Sequence, residues 1–154
     1  MRQTGYTVLE MLIVIAVIGV VASIGFPPIR RALDKSQVRS ARIFLGTAAV
    51  TARQSAGARL CRAVVHFTSG TNGSVWVTAC PRFQSGSGTV DTLGPVEPLA
   101  SRYNVTLTAT RDSVQFDPRG LSLDNANTTV SIRGASAATL DSVLINPIGM
   151  VVRQ

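Results

Sequence analysis

The feature that most constrains this chain is a long uncharged apolar run near its N-terminus. From Met11 to Ile29 the sequence contains no charged residue. As an α-helix, at about 1.5 Å per residue, this run would extend roughly 28 Å, close to the hydrocarbon thickness of a bilayer. No small-residue cleavage site of the signal-peptide type follows it, because Pro27-Pro28 leads directly into basic residues. The run therefore predicts a retained membrane helix.

Glu10 lies at the margin of this apolar run. A carboxylate in that position costs a few kcal/mol unless it is paired, neutralised or hydrated. One interpretation places it at the level of the lipid headgroups, in contact with water. The other gives it a functional partner, and the residues before it favour this second interpretation, since the chain reads Gly5-Tyr6-Thr-Val-Leu-Glu10.

This segment resembles the processing site of type IV pilins and type II secretion pseudopilins. Members of that family have a short basic leader ending in Gly, an aromatic residue, Glu as the fifth residue of the mature chain, and then an apolar helix. The resemblance implies that prepilin peptidase cuts between Gly5 and Tyr6 and methylates the new amine of Tyr6. It also implies that Glu10 pairs with the N-terminal amine of a neighbouring subunit during filament assembly.

The formal net charge of +7 arises entirely in the N-terminal part of the chain. Nine basic and two acidic residues occur through Arg62, whereas six of each sign follow. Basic residues lie on both sides of the apolar run, so charge alone does not set its orientation. The resemblance implies a cytoplasmic leader and a periplasmic C-terminal part.

Beyond Pro27-Pro28, where a kink or local break is expected, a second helical stretch is predicted from Ile29 to about Ala56, with Gly57 as its stop. Its apolar residues share one broad face that the C-terminal domain must cover. Its basic residues form a stripe on a different face. The apolar face comprises Leu33, Val38, Ala41, Phe44, Leu45, Ala48, Ala52 and Ala56. The basic stripe comprises Arg31, Lys35, Arg39, Arg42 and Arg53.

This basic stripe has three possible roles. It can be a solvated or subunit-facing surface of the helix. The part nearest the membrane, Arg30 and Arg31, can meet anionic headgroups, each charge contributing about 1 kcal/mol. The third and least favoured role is nucleic-acid binding, as in minor pilins that serve DNA uptake.

After Gly57 the pattern changes to the alternation typical of strands, interrupted by turn residues. If the first two strands pair with residue numbers summing to 141, Val65 faces Trp76 and Cys61 lies opposite Cys80, which suits a disulfide. Two buried free thiols are the alternative. Residues 81–98 are rich in Ser, Gly and Thr and are expected to form an exposed loop. The predicted strands are 61–67, 74–80, 103–110, 113–116, 121–123, 128–133, 139–145 and 150–152.

No catalytic or metal-binding constellation is apparent. His66 is the only histidine and lies in a strand-like run, where a packed or edge position is favoured over a catalytic base. No nucleophile has a base within its reach, and no spacing typical of metal ligands occurs. We therefore expect no enzymatic activity and no cofactor.

The order of elements resembles the GspH/FimT family of minor pseudopilins and pilins. The markers are the long helix, Trp76 on the second strand, and two turns, Phe116-Asp-Pro-Arg-Gly120 and Asn146-Pro-Ile-Gly149. In that family the second turn is often followed by Arg to give Gly-Arg-x-Arg, whereas this chain reads Gly149-Met-Val-Val-Arg153. This departure counts against an exposed basic tip for DNA.

The sequence and the resemblance together predict an α+β, pilin-like fold. A long N-terminal α-helix, transmembrane in its first half, packs on a C-terminal antiparallel β-sheet domain. We expect a leader over residues 1–5, a transmembrane helix over 6–29, its amphipathic continuation over 30–57 and a periplasmic β domain over 58–154.

The predicted function is that of a minor pseudopilin in a type II secretion pseudopilus or related type IV pilus. It would be anchored in the bacterial inner membrane by a single pass, contribute to filament initiation and protein secretion, and then enter a periplasmic or surface filament. Its expected partners are prepilin peptidase and other major and minor pilins or pseudopilins. The alternatives are a DNA-binding minor pilin and a signal-anchored periplasmic enzyme.

Overall fold

A computed structural model describes residues 7–81, 90–136 and 138–153. The chain divides into two compact units, Met1–Leu33 and Asp34–Gln154. The elements in chain order are α1 (Val8–Arg59), β1 (Ala63–Phe67), β2 (Val75–Ala79), β3 (Asp91–Thr92), α2 (Leu99–Tyr103), β4 (Val105–Ala109), β5 (Ser113–Phe116), β6 (Thr128–Gly134), β7 (Leu140–Ile145) and β8 (Val151–Arg153).

Within the first unit, α1 begins immediately after Thr7. The Thr7 hydroxyl accepts a hydrogen bond from the Glu10 backbone N–H at 3.3 Å, the contact that an N-cap residue makes. The helix then continues through Pro27 and Pro28, so of the kink or local break expected there, the break does not occur. A proline removes only one backbone donor, and the remaining hydrogen bonds of a long helix hold its neighbours in helical geometry.

In the second unit, the C-terminal part of α1 buries one face. The predicted face is largely confirmed, except that Leu33 belongs to the first unit and is 58% exposed. Asp34 is buried, although no part of the sequence pattern indicated it. Most of this face is alanine, which lets the helix backbone approach the sheets closely. The buried helix residues are Asp34, Val38, Ala41, Leu45, Ala48, Ala49, Ala52 and Ala56.

Helix α1 ends two residues beyond the predicted stop at Gly57. Leu60 has φ of 52°, and the Cys61 N–H donates to the Ala56 carbonyl at 3.2 Å. The Leu60 N–H donates to the Gly57 carbonyl at 3.4 Å. These bonds form a Schellman termination, in which glycine usually takes the left-handed position. Because leucine occupies it here, the sequence gives no signal at this position.

The strands form two antiparallel four-stranded sheets, ordered β3-β2-β1-β5 and β4-β6-β7-β8. In the β1–β2 pair, Val65 lies opposite Val77 and His66 lies opposite Trp76. The predicted register, with Val65 opposite Trp76, is therefore wrong by one residue. Opposed residues of an antiparallel pair lie on the same face of the sheet. Val65 and Val77 are both buried, whereas Trp76 lies on the other face.

Three short segments also differ from the sequence-based prediction. Residues Leu99–Tyr103 form helix α2, so strand β4 starts only at Val105. Residues 121–123 form no strand and contribute one isolated bridge between Phe116 and Ser122. In the expected loop 81–98, Asp91–Thr92 form β3, and residues 82–89 lie outside the described part of the chain.

One hydrophobic core joins α1 to both sheets within the second unit. The inward residues of β1 and β2 alternate with partly exposed ones, so each strand presents one face to the helix. The sheets meet where Gly70 and the β4 residue Leu107 exchange backbone hydrogen bonds of 2.8 and 3.3 Å. The predicted α+β architecture, a long helix packed on an antiparallel β domain, is confirmed. The largest fully buried side chains include Phe116, Leu45, Leu99, Leu107 and Ile132.

Candidate functional site

The first unit presents an apolar helical surface. The large apolar side chains from Val8 to Ile29 are exposed, with fractions between 47% at Val14 and 79% at Val8. The described chain contains one helix long and apolar enough to cross a membrane, with a mean hydropathy of 2.6 over its most apolar window. An apolar surface of this extent requires a cover of lipid or protein.

Glu10 lies in the first turn of α1. Its backbone N–H donates to Thr7, with the carbonyl oxygen at 3.1 Å and the hydroxyl at 3.3 Å. Carboxylates are favoured in a first turn, because the unpaired backbone N–H groups there carry partial positive charge. The Glu10 side chain is exposed and takes part in no ion pair among the described residues. Gly5 and Tyr6, the predicted cleavage and methylation sites, lie outside that part of the chain.

Cys61 and Cys80 form a disulfide, with Cα atoms 6.3 Å apart. They lie just beyond the ends of β1 and β2 and are not an opposed pair, since the register pairs Ala63 with Ala79. Arg59 reinforces the same junction. Its guanidinium donates to the Cys80 carbonyl and lies 2.9 Å from the Asp91 carboxylate. The end of α1 is thus fastened to β2 and β3.

The residues of the predicted basic stripe differ in their exposure to solvent. Lys35, Arg39 and Arg53 are exposed in the second unit. Arg42 is instead largely buried, with Nη1 2.7 Å from Oδ2 of Asp141. Arg31 belongs to the first unit and is exposed there. Arg42 therefore connects α1 to β7 and does not form part of an exposed basic surface.

Asp34 is a buried carboxylate that the sequence pattern did not indicate. One oxygen accepts hydrogen bonds from both the backbone N–H and the hydroxyl of Ser136, the backbone contact being 2.9 Å. These bonds, with the Ser136 hydroxyl making the largest contribution, hold the pKa of Asp34 below its usual value. Gly134 leaves room for this contact, since a Cβ there would lie 3.2 Å from the carboxylate. Asp34 fastens the β6–β7 connection to α1.

His66 packs as the sequence analysis expected. Its ring stacks on Trp76 with centroids 4.9 Å apart, and its Nε2 lies 2.9 Å from the Thr78 hydroxyl. Partial burial lowers the pKa of His66, because desolvation disfavours the charged ring. Across residues 7–81, 90–136 and 138–153, no three His, Cys, Asp or Glu side chains are grouped to hold a metal ion.

The two turns singled out in the sequence meet at one cleft. The turn at Asp117–Gly120 and the turn at Asn146–Gly149 both lie against α1, around a cavity of about 560 Å³. Two arginines line it, Arg53 from α1 and Arg119 from the first turn. Sequence reasoning identified both turns but did not indicate that they are adjacent.

Comparisons with known proteins agree with this architecture. Residues 1–26 match the family described as the prokaryotic N-terminal methylation motif. Two crystal forms of the type IV minor pilin FimU of Pseudomonas aeruginosa share the fold. The first has a TM-score of 0.58 at 13% identity, covering 77% of this chain and 89% of FimU. The second has a TM-score of 0.55 at 12% identity, covering 75% and 91%.

No match was found among curated proteins. The methylation motif occupies the start of the chain, and the structural likeness extends over about three quarters of it. The chain therefore carries an N-terminal methylation motif and has the fold of a type IV minor pilin.

Proposed function

We propose that the chain is a minor pseudopilin, a structural and non-enzymatic subunit near the tip of a type II secretion pseudopilus or related type IV pilus. One observation carries this proposal. The methylation motif over residues 1–26 continues into a helix whose apolar side chains are exposed from Val8 to Ile29. Such a surface is stable in lipid or against other apolar helices. FimU, which shares the fold, is itself a type IV minor pilin.

In this proposal the same helix has two successive roles. It first anchors the chain in the bacterial inner membrane by a single pass, with the second unit in the periplasm. It then joins the helices of neighbouring subunits in the filament, contributing to initiation at the tip and, in the secretion system, to protein export. The Cys61–Cys80 disulfide supports a periplasmic location, because such bonds persist in oxidising compartments.

Processing precedes assembly. Prepilin peptidase cleaves between Gly5 and Tyr6, which removes the leader of residues 1–5, and methylates the Tyr6 amine. Residues 6–29 form the membrane helix, residues 30–57 its continuation, and residues 58–154 the periplasmic domain. The Glu10 carboxylate pairs with the Tyr6 amine of an adjacent subunit. In a low-dielectric setting each charge offsets the desolvation of the other, so the pair fixes subunit register more than it adds stability.

The test is filament assembly of the Glu10→Ala and Glu10→Gln variants. We expect both to insert into the membrane and to lose co-purification with other pilins, because neither can neutralise a buried amine. Thr7→Ala is the matched control, since it removes the hydroxyl cap at the same helix end without changing charge. Normal co-purification of either Glu10 variant would contradict the proposal, and equal loss in Thr7→Ala would reduce the role of Glu10 to helix capping.

A further inference from the structure

The cleft between α1 and the two turns has a rigid floor. A Cβ at Gly149 would lie 2.5 Å from the Gly120 carbonyl oxygen, so the backbones of the two turns are in close contact. Asp117 Oδ1 accepts hydrogen bonds from the backbone N–H groups of Arg119 and Leu121, at 2.9 and 2.8 Å. The second turn accepts one from Ser122, whose N–H lies 3.1 Å from the Pro147 carbonyl. The floor is therefore fixed before any ligand arrives.

Arg53 and Arg119 bring two positive charges to this floor. The Arg53 side chain lies across Gly120, where a Cβ would be 3.1 Å from its Cγ and 2.9 Å from its Nε. Both arginines are exposed and take part in no ion pair among the described residues. The acidic residue of the same turn, Asp117, has one carboxylate oxygen engaged by the backbone N–H groups of Arg119 and Leu121. Among the described residues, the arginines that form ion pairs are Arg42, Arg59, Arg102 and Arg111.

Apolar side chains complete the cleft. Val50 and Met150 line it and are 43% and 50% exposed. A guanidinium pair recognises carboxylates through bidentate hydrogen bonds, and apolar walls beside it fit an aliphatic side chain next to the carboxylate. A nucleic-acid surface would instead place several cations along the track of a phosphate backbone. Two cations beside apolar walls fit an acidic peptide better than a phosphate backbone.

We propose that the Arg53–Arg119 cleft docks an acidic segment of a neighbouring filament subunit. A partner Asp or Glu carboxylate binds the two guanidinium groups, and an adjacent apolar side chain packs on Val50 and Met150. This inference rests on the proposed function, because the occupant is a pilin. In this inference, the turns at Asp117–Gly120 and Asn146–Gly149 form the surface that selects the neighbouring subunit.

The test is photo-crosslinking from the cleft in cells that assemble the filament. Benzoylphenylalanine replaces Met150 in the full chain, and the crosslinked peptide of the partner is identified by mass spectrometry. We expect a pilin peptide that contains Asp or Glu. The yield should fall at least about tenfold when Arg53→Gln and Arg119→Gln are combined, because both charge-assisted contacts are lost. Arg62→Gln, at an exposed arginine outside the cleft, is the matched control and should leave the yield unchanged.

A charge swap then tests the pairing itself. Arg119→Glu should abolish the crosslink, and replacing the mapped partner carboxylate by Arg should restore it. The inference is overturned by a crosslink that survives the double Gln variant, by a partner peptide without a carboxylate, by a crosslink to nucleic acid, or by no crosslink at all. If the wild-type chain co-purifies with pilins while the crosslink is absent, the docking proposal fails and the proposed function stands. If the wild-type chain does not co-purify, the proposed function fails first.

Discussion

Arg42 Nη1 lies 2.7 Å from Asp141 Oδ2 and joins α1 to β7 by an ion pair whose side chains are only 21% and 17% exposed. Arg42 Nε is also buried and has no hydrogen-bond partner among the described residues. The pair is therefore shielded from solvent more than a surface salt bridge is, and its loss leaves a guanidinium without a counter-charge.

We expect Asp141→Asn to lower the free energy of unfolding of the second unit by about 2 kcal/mol, because a desolvated charge would lose its partner. Urea unfolding followed by the fluorescence of Trp76, the only tryptophan, measures this change. Arg39→Gln, at an exposed member of the same stripe, should change the free energy by less than about 0.5 kcal/mol. If both variants lowered the free energy of unfolding equally, the Arg42–Asp141 ion pair would not stabilise the domain.

Asp34 should make the stability of the second unit depend on acid pH. Its pKa is lower in the folded chain than in the unfolded chain, because Ser136 hydrogen-bonds to the charged form. The stabilisation is thus complete above the unfolded-state pKa of about 3.9 and is lost as the pH falls through the folded pKa.

The measurement compares urea unfolding at pH 7 and pH 3 for the wild type and two variants. Asp34→Asn should lose less stability between these pH values than the wild type does. Ser136→Ala removes the main cause of the shift, so this variant should also lose less stability than the wild type between these pH values. If the free energy of unfolding had the same pH dependence in the wild type and in Asp34→Asn, the Asp34 carboxyl would not be a source of the acid sensitivity.

The Cys61–Cys80 disulfide closes a loop with a sequence separation of 19 residues. Replacing both cysteines by Ser should lower the free energy of unfolding by about 3 kcal/mol, mainly through the greater freedom of the unfolded chain. The chain should still fold, since Arg59 holds the same junction through Cys80 and Asp91. Combining the double Ser variant with Arg59→Gln should cost more than the sum of the separate changes, which a double-mutant cycle would detect.

Two glycines with similar φ should respond differently to substitution. Gly149 has φ of 74° and Gly94 has φ of 83°, so alanine at either position adds strain of about 1 kcal/mol. At Gly149 the added Cβ would also lie 2.5 Å from a backbone oxygen, whereas at Gly94 nothing lies within 4 Å. We expect Gly149→Ala to destabilise the domain by at least about 2 kcal/mol more than Gly94→Ala does. Thermal unfolding of both variants tests this difference.

The sequence predicted best what depends on local periodicity. The 3.6-residue repeat located the buried face of α1 from Val38 to Ala56, and alternation located β1 and β2. Periodicity alone did not fix the strand register. The register that places Cys61 opposite Cys80 also places Val65 opposite Trp76, whose side chain lies on the other face of the sheet. Burial of Val65 with Val77 decided the register in the folded chain.

Contacts between distant residues could not be predicted from local patterns. Asp34 and Ser136 are 102 residues apart, and a carboxylate among the basic residues of the helix gave no indication that it would be buried. The two proline–glycine turns were recognisable individually, but their meeting at Arg53 depends on the packing of α1 against both sheets. Leu60 ended the helix in a left-handed conformation that the sequence normally signals by glycine.

The measurement that tests the account most directly is the intact mass of this chain recovered from sheared filaments. We predict a chain that lacks residues 1–5 and carries one added methyl group on the amine of Tyr6, found in the same fraction as the other pilins. A chain that retains Met1–Gly5, or one that is absent from filaments while present in the membrane, would contradict the claim that the helix serves first as an anchor and then as part of the filament.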